Sequence, residues 1–90
     1  MKTNITTDAM ELKIERIGSI DVDLGAVDEY FLITRRDDDL DIDQLQEYML
    51  AIYYRDTSIA GGYFCHQVTV MPVPYSDNRA ICIVHHRHDI

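Results

Sequence analysis

The sequence of 90 residues predicts an α+β domain of two layers, in which one α-helix covers an antiparallel sheet of four to five strands. Three observations support this fold class. The N-terminal half contains stretches in which apolar and polar residues alternate, the middle contains one amphipathic segment with a helix-start signal, and the last third contains two strand-like runs around a turn. The predicted order is β-β-(β)-α-β-β in a single domain, 1–90, whose residues 1–9 we expect to be loosely ordered.

The N-terminal strands are predicted from the alternation of residue types. Leu12 and Ile14 alternate with charged residues within 10–18, which is typical of a half-buried strand. Gly18 breaks or bulges this strand, and the alternation resumes after it. A second run, 30–36 (YFLITRR), is rich in residues that favour strands and predicts the next strand.

The helix is predicted to begin after Asp41. This residue can act as the N-cap, and Gln44 follows three positions later in the capping-box arrangement. The helix should end near Arg55 or Asp56, with Tyr54 exposed. The apolar residues expected to form its buried face are Leu45, Met49, Ile52 and Tyr53.

The last third predicts a hairpin of strands 63–73 and 79–88, joined by a two-residue turn at Asp77 and Asn78. This register would place one set of side chains against the helix: Phe64, Val68, Val70, Ile81 and Ile83. The opposite set would face solvent: Cys65, Thr69, Met71, Cys82, Val84, His86 and His88.

Charge is distributed unevenly along the chain. Residues 21–47 contain ten carboxylates and only two arginines, and this difference equals the formal net charge of the whole protein, −8. In the other 63 residues, acidic and basic side chains are equal in number. A one-sided negative field attracts basic partners and repels nucleic acid and anionic membranes, so direct binding to either is not expected.

The leading hypothesis from this pattern is a small inhibitor that binds a basic, nucleic-acid-handling protein, because carboxylates can occupy arginine- and lysine-lined grooves in place of phosphates. The size, charge and predicted fold type of this chain resemble those of phage-type anti-defence proteins, such as anti-CRISPR inhibitors and DNA mimics. They are equally those of immunity or antitoxin proteins that neutralise nucleases. The residues predicted to contact the partner are Asp21, Asp23, Asp37, Asp38, Asp39, Asp41, Asp43, Glu47 and Tyr54.

A metal site is the alternative hypothesis. Both cysteines and all four histidines lie in the last 26 residues, and Cys65, His86 and His88 are the candidate zinc ligands. The spacing of zinc fingers is absent, and the aspartate cluster lacks the glycine and glutamate of a calcium-binding EF-hand loop. We therefore expect no cofactor.

No catalytic motif stands out, and we expect a protein that is not an enzyme. The N-terminal residues lack the apolar stretch of a signal peptide, so a cytoplasmic protein is expected, either a monomer or a homodimer.

Overall fold

The computed structural model of the chain describes residues 4–6, 11–36, 39–56 and 62–88. The described elements are β1 (Asn4–Thr6), β2 (Glu11–Asp23), β3 (Ala26–Arg35), α1 (Ile42–Tyr53), β4 (Tyr63–Pro72) and β5 (Arg79–His88). The strands form one sheet in the order β1-β2-β3-β5-β4, and every neighbouring pair is antiparallel. The predicted α+β fold, an antiparallel sheet of four to five strands covered by one helix, is confirmed. The extra strand before the helix is β1, whereas the segment after Gly18 continues β2 and is not a strand of its own.

Strand β1 departs from the expectation of a loosely ordered N-terminus. Its residues 4–6 pair with residues 11–13 of β2. The other residues of 1–9 lie outside the described part of the chain. Strand β3 also begins earlier than predicted, at Ala26, and pairs with β2 almost along its whole length.

Strand β2 continues through Gly18 with a bulge instead of breaking. The bulge lies between Arg16 and Gly18, where Ile17 is the extra residue opposite β3. A bulge reverses the alternation of side chains, so that Ile14 faces the helix side of the sheet whereas Ile20 lies on the opposite side.

The core lies between α1 and the sheet. Leu45, Met49 and Tyr53 of α1 are buried against apolar side chains from β2, β3, β4 and β5. Ile52, which was predicted to share this buried face, is 39% exposed because it lies at the margin of the helix–sheet contact. In the described part of the chain, no helix is both long and apolar enough to cross a membrane.

The start of α1 confirms the predicted N-cap. Asp41 has an extended backbone conformation, and its side chain accepts a hydrogen bond from the backbone N–H of Gln44 at 3.2 Å. The helix ends at Tyr53, two or three residues before the predicted end near Arg55 or Asp56. Arg55, just after it, has a φ of 64°, and its N–H donates to the carbonyl of Cys65. The chain therefore leaves the helix along the outer edge of β4.

Replacing Asp41 with alanine should lower the free energy of unfolding by about 1 kcal/mol, because the N–H of Gln44 loses its acceptor. The change can be measured by urea denaturation followed by circular dichroism. Asp41→Asn is the matched control, since the amide oxygen can still cap the helix after the charge is removed. If the asparagine variant is as unstable as the alanine variant, the capping role is wrong.

The hairpin of β4 and β5 has a different register from the predicted one. The connection spans residues 73–78, and Pro72 pairs with Ala80, which shifts the register by three residues. Because the shift is odd, it exchanges the two faces of β5. Ala80, Cys82 and Val84 face the helix, whereas Ile81 and Ile83 do not.

A bulge between Cys65 and Gln67 also changes β4. It places Cys65 on the helix side with Val68 and Val70, and it removes Phe64 from that set. The face of the sheet that the helix does not cover is called the open face here. It presents Tyr30, Leu32, Thr69, Ile81, Ile83 and His85.

Candidate protein-binding surface

The side chain of Gln46 holds the helix against β4, because it bonds to the backbone of β4 at positions where a neighbouring strand would bond. The Nε2 of Gln46 donates to the carbonyl of Val68, and its Oε1 accepts from the N–H of Val70 at 2.8 Å. These bonds satisfy backbone groups on the outer edge of β4 and fix the rotation of the helix. As a result, the opposite side of the helix points to solvent.

The solvent-facing side of the helix carries three of the predicted contact residues. Asp41, Asp43 and Glu47 are all exposed, and we call them the acidic stripe. Asp43 and Glu47 are one turn apart and lie side by side. Tyr54, 55% exposed, lies just beyond the C-terminal end of the helix. The stripe therefore extends along the helix toward an exposed aromatic side chain.

Within the described residues, the two acids on the body of the helix, Asp43 and Glu47, have no basic partner. The helix, Ile42–Tyr53, contains no lysine, arginine or histidine. No ion pair joins Asp43 or Glu47 to any residue in the described ranges. Like charges at this spacing cost a few tenths of a kcal/mol in an isolated helix, about 0.2–0.5 kcal/mol per pair.

The other predicted contact residues do not all join this surface. Asp21 and Asp23 are exposed at the β2–β3 turn. The acidic stripe begins at the other end of β3, where the N–H of Leu40 bonds to the carbonyl of Asp77 in the β4–β5 connection. The length of β3 separates the two ends by about 30 Å. The single one-sided acidic surface expected from the sequence is therefore divided into two parts.

Asp39 lies next to the stripe but is not isolated. It is exposed, and its backbone carbonyl accepts a hydrogen bond from Nη1 of Arg35 at 2.8 Å. This places an arginine near the start of the stripe. Asp37 and Asp38 lie outside the described residues, so the structure does not locate these two predicted contacts.

Two acids of the charged segment, Glu29 and Asp28, contact other side chains of the sheet. Glu29 is only 6% exposed, and its carboxylate accepts a hydrogen bond from Nε of Arg16 at 2.7 Å. Its second oxygen lies 3.1 Å from Nε2 of His86, which is 1% exposed. The Nδ1 of His86 is buried without a hydrogen-bond partner among the described residues. Glu29 therefore belongs to a buried network rather than to a binding surface.

The neighbouring acid, Asp28, makes a similar contact on the open face. Its carboxylate lies 2.7 Å from Nδ1 of His85, and Nε2 of His85 lies 2.8 Å from the hydroxyl of Thr69. Asp28 and Glu29 are adjacent on β3 and His85 and His86 are adjacent on β5, so each strand directs one member to each face. Sequence reasoning missed both networks, although the paired acids and paired histidines were a usable signal.

The candidate zinc ligands do not converge. Cys65 and His86 are cross-strand partners, but His88 lies farther along β5, where its ring packs edge-on against Tyr63 at 5.3 Å. Among the described residues, no group of three histidine, cysteine or acidic side chains could hold a metal ion. Burial raises the pKa of both thiols, that of Cys82 to about 12. Protonated thiols are poor metal ligands and poor nucleophiles.

Comparison with known proteins gives no match: no protein-family model, curated protein or solved structure is similar to this chain. Its function therefore has to be inferred from the geometry above.

Proposed function

We propose that this chain is a small acidic inhibitor that binds a basic, nucleic-acid-handling protein through the acidic stripe and Tyr54. The observation that supports the proposal most is the uncompensated charge of α1. Asp43 and Glu47 are exposed, adjacent and unpaired within the described ranges, on a helix that has no basic residue. A cationic surface would remove their repulsion and supply the hydrogen-bond donors that carboxylates accept.

The sign and the spacing of these charges support this class of partner. Proteins that bind nucleic acid present arginine and lysine side chains at regular intervals to a dense row of phosphates. Carboxylates repeated on successive helical turns can occupy the same donors, and their occupation would block the nucleic acid. Tyr54 offers a large amphipathic side chain of the kind that anchors protein interfaces. Two free, buried cysteines suit a reducing, cytoplasmic setting.

The proposal predicts that removing two charges from the stripe weakens binding. Protein captured from the native host by the wild-type chain would be identified by mass spectrometry, purified, and titrated with each variant. Asp43→Asn combined with Glu47→Gln should raise the dissociation constant by roughly 2- to 30-fold, since each exposed ion pair contributes about 0.2–1 kcal/mol. The association rate should also fall with salt.

The matched control removes two charges from β2. Glu15→Gln combined with Asp23→Asn changes the net charge equally but leaves the acidic stripe intact, so it should bind like wild type. An equal loss in both double variants would mean that total charge, not the stripe, drives binding. If the captured protein still binds nucleic acid when it is saturated with this chain, the proposed inhibition is wrong.

A further inference from the structure

The open face of the sheet carries three side chains that are hydrogen-bonded in a row across three strands. Nδ1 of His85 lies 2.7 Å from Oδ1 of Asp28, and Nε2 of the same ring lies 2.8 Å from Oγ1 of Thr69. A hydroxyl, an imidazole and a carboxylate in this order are the nucleophile, the base and the orienting acid of a hydrolase triad. The sequence shows no motif for these residues, because a triad is defined by geometry and not by spacing along the chain.

The register of the sheet brings the three residues together. Asp28 of β3 is the direct cross-strand partner of His85 on β5. Thr69 of β4 is opposite Ile83, two residues before His85, so that it meets the histidine on the diagonal. Direct and diagonal neighbours on one face of a sheet are within reach of long side chains. The strand pairing therefore positions the triad on rigid elements, which catalysis requires.

The contact with Asp28 determines which nitrogen of His85 carries the proton. An ionised carboxylate can only accept hydrogen bonds, so Nδ1 is the donor in this contact. In the neutral ring, Nε2 then has a free lone pair and accepts a hydrogen bond from the hydroxyl of Thr69. This tautomer is the one that can take the proton from the hydroxyl when its oxygen attacks a substrate.

The hydroxyl of Thr69 is accessible to a substrate. Thr69 is half-buried, and the side chains of His85 and Asp28 are 26% and 18% exposed. The residues that flank Thr69 on the same face, Gln67 and Met71, are exposed. Gln67 is also the cross-strand partner of His85. Its side-chain amide is a donor that can stabilise negative charge on a carbonyl oxygen bound beside Thr69.

An apolar groove lies near the triad on the open face. It has a volume of about 380 Å³ and is lined by Ile17, Gly18, Ser19, Ile20, Tyr30 and Ile81. Tyr30 is opposite Ile83, which in turn is opposite Thr69. The groove therefore begins two strands away from the hydroxyl, at about 10 Å. An acyl chain of roughly eight carbons would cover this distance and end among apolar side chains.

We propose that Thr69, His85 and Asp28 form an esterase site for esters of medium-chain apolar acids. The oxygen of Thr69 attacks the carbonyl carbon of the ester, and its proton passes to Nε2 of His85. The bond to the alcohol then breaks, His85 gives the proton to the departing alcohol, and the acyl group remains on Thr69.

Hydrolysis of the acyl group restores the site. A water molecule attacks the acyl carbon and gives a proton to Nε2 of His85, the carboxylic acid leaves, and the oxygen of Thr69 takes the proton back. Thr69 and His85 are thus the catalytic residues, whereas Asp28 is a positioning residue. The acidic stripe belongs to α1 on the other face of the sheet, so this site does not depend on the proposed inhibition.

The test is hydrolysis of p-nitrophenyl octanoate by protein without a histidine tag, because free imidazoles also cleave such activated esters. Thr69→Val should lower kcat/KM about 100-fold or more, whereas Thr69→Ser keeps a hydroxyl and should retain activity. His66→Gln is the control, since His66 is exposed and its ring lies 6.4 Å from that of His85. It should keep most of the activity. An equal loss in His66→Gln and Thr69→Val overturns the proposal, as does an unchanged rate in Thr69→Val.

The length of the acyl chain tests the role of the groove. The wild-type protein should hydrolyse the octanoate with a kcat/KM roughly 10-fold or more above that of p-nitrophenyl acetate. Ile20→Ser should reduce this preference without changing the rate with acetate, because Ile20 lines the groove and does not touch the triad. Equal values of kcat/KM for the two esters in the wild type would refute the proposed substrate class.

Two measurements on the site do not depend on the Thr69 variants. An alkyl fluorophosphonate should form a bond to Oγ1 of Thr69 with loss of fluoride, and mass spectrometry of peptides would locate the adduct. Nitrogen NMR of His85 should show the proton on Nδ1 in the wild type and its transfer to Nε2 in Asp28→Asn, together with a fall in kcat of about 100-fold or more. An adduct on another residue, or none, overturns the proposal. Unchanged kcat in Asp28→Asn refutes the positioning role of Asp28.

Discussion

Phe31→Ala is expected to lower the free energy of unfolding by about 3–5 kcal/mol. Phe31 is 1% exposed at the centre of the core, and its ring lies 5.3 Å from that of Tyr53. The change removes contacts with both the sheet and the helix and leaves a cavity. A chain of this length has a total stability of roughly 4–13 kcal/mol, so the loss is a large fraction of it.

The free energies of unfolding of the wild type and of Phe31→Ala would be measured by urea denaturation. The dependence of the free energy on urea concentration should be the same in both proteins. Leu24→Ala is the control, because Leu24 is a large apolar residue that is fully exposed at the β2–β3 turn. It should change the free energy of unfolding by less than about 0.5 kcal/mol. If Phe31→Ala costs no more than this control, the core is not where the structure places it.

The features that sequence reasoning predicted correctly are set by residues close together in the chain. Asp41 and Gln44 signal the start of the helix within one turn, and Leu45, Met49 and Tyr53 repeat at helical spacing. The fold class follows because one such helix can cover only one face of an antiparallel sheet. No knowledge of distant contacts was needed for these predictions.

The hairpin register failed because it depends on the conformation of the connection. Tyr75 has a φ of 63°, and the N–H of Ser76 bonds to the carbonyl of Val73. This turn ends the strand pairing at Pro72, earlier than a turn at Asp77 and Asn78 would. Nothing in the local pattern of residue types distinguishes this longer connection from a two-residue turn. The resulting register shift of three residues is odd and therefore exchanges the faces of β5.

For the candidate site too, local sequence does not determine which acids of the charged segment are exposed. From composition alone, Glu29 and Asp43 are equivalent acids in a charged stretch. In the fold, Glu29 bonds to Arg16 and His86, which are distant in sequence, whereas Asp43 is exposed. A buried carboxylate needs such partners because its desolvation is costly. Which acids remain for binding therefore becomes visible only when the strand register is known.

The bulge at Ile17 determines which side chains of β2 lie in the core and which lie on the open face. It lets β2 begin with Leu12 and Ile14 in the core and continue with Ile20 on the open face. A strand that kept one alternation would have placed Ile20 toward the helix side. The same irregularity thus accounts for the exposure of Ile17 and Ile20.

Alkaline pH should unfold this protein through two buried groups. Burial raises the pKa of the Tyr53 hydroxyl from 10.0 to about 12, and nearby Cys82 and Glu29 add to the shift. Burial likewise raises the pKa of the Cys82 thiol from 9.0 to about 12. In the unfolded chain both groups ionise at their ordinary values, so between about pH 9 and 12 the unfolded state releases protons that the folded state retains.

The sign follows from this difference. The stabilising contribution is fully present below about pH 9 and is lost as the pH rises toward 12. By about pH 10.5 the two groups together should have lowered the free energy of unfolding by roughly 3 kcal/mol. Denaturant unfolding in a reducing buffer from neutral pH upward would measure the decline.

Tyr53→Phe separates this effect from general charge repulsion. The variant keeps the ring contact with Phe31 but has no hydroxyl to ionise, so its stability should fall less steeply above about pH 10. Tyr54→Phe is the matched control and should follow wild type, because Tyr54 is exposed. Cys82→Ala should flatten the decline from about pH 9, even if its stability at neutral pH is lower. Should Tyr53→Phe and Tyr54→Phe decline in parallel with wild type, the burial of the Tyr53 hydroxyl beneath the helix would be refuted.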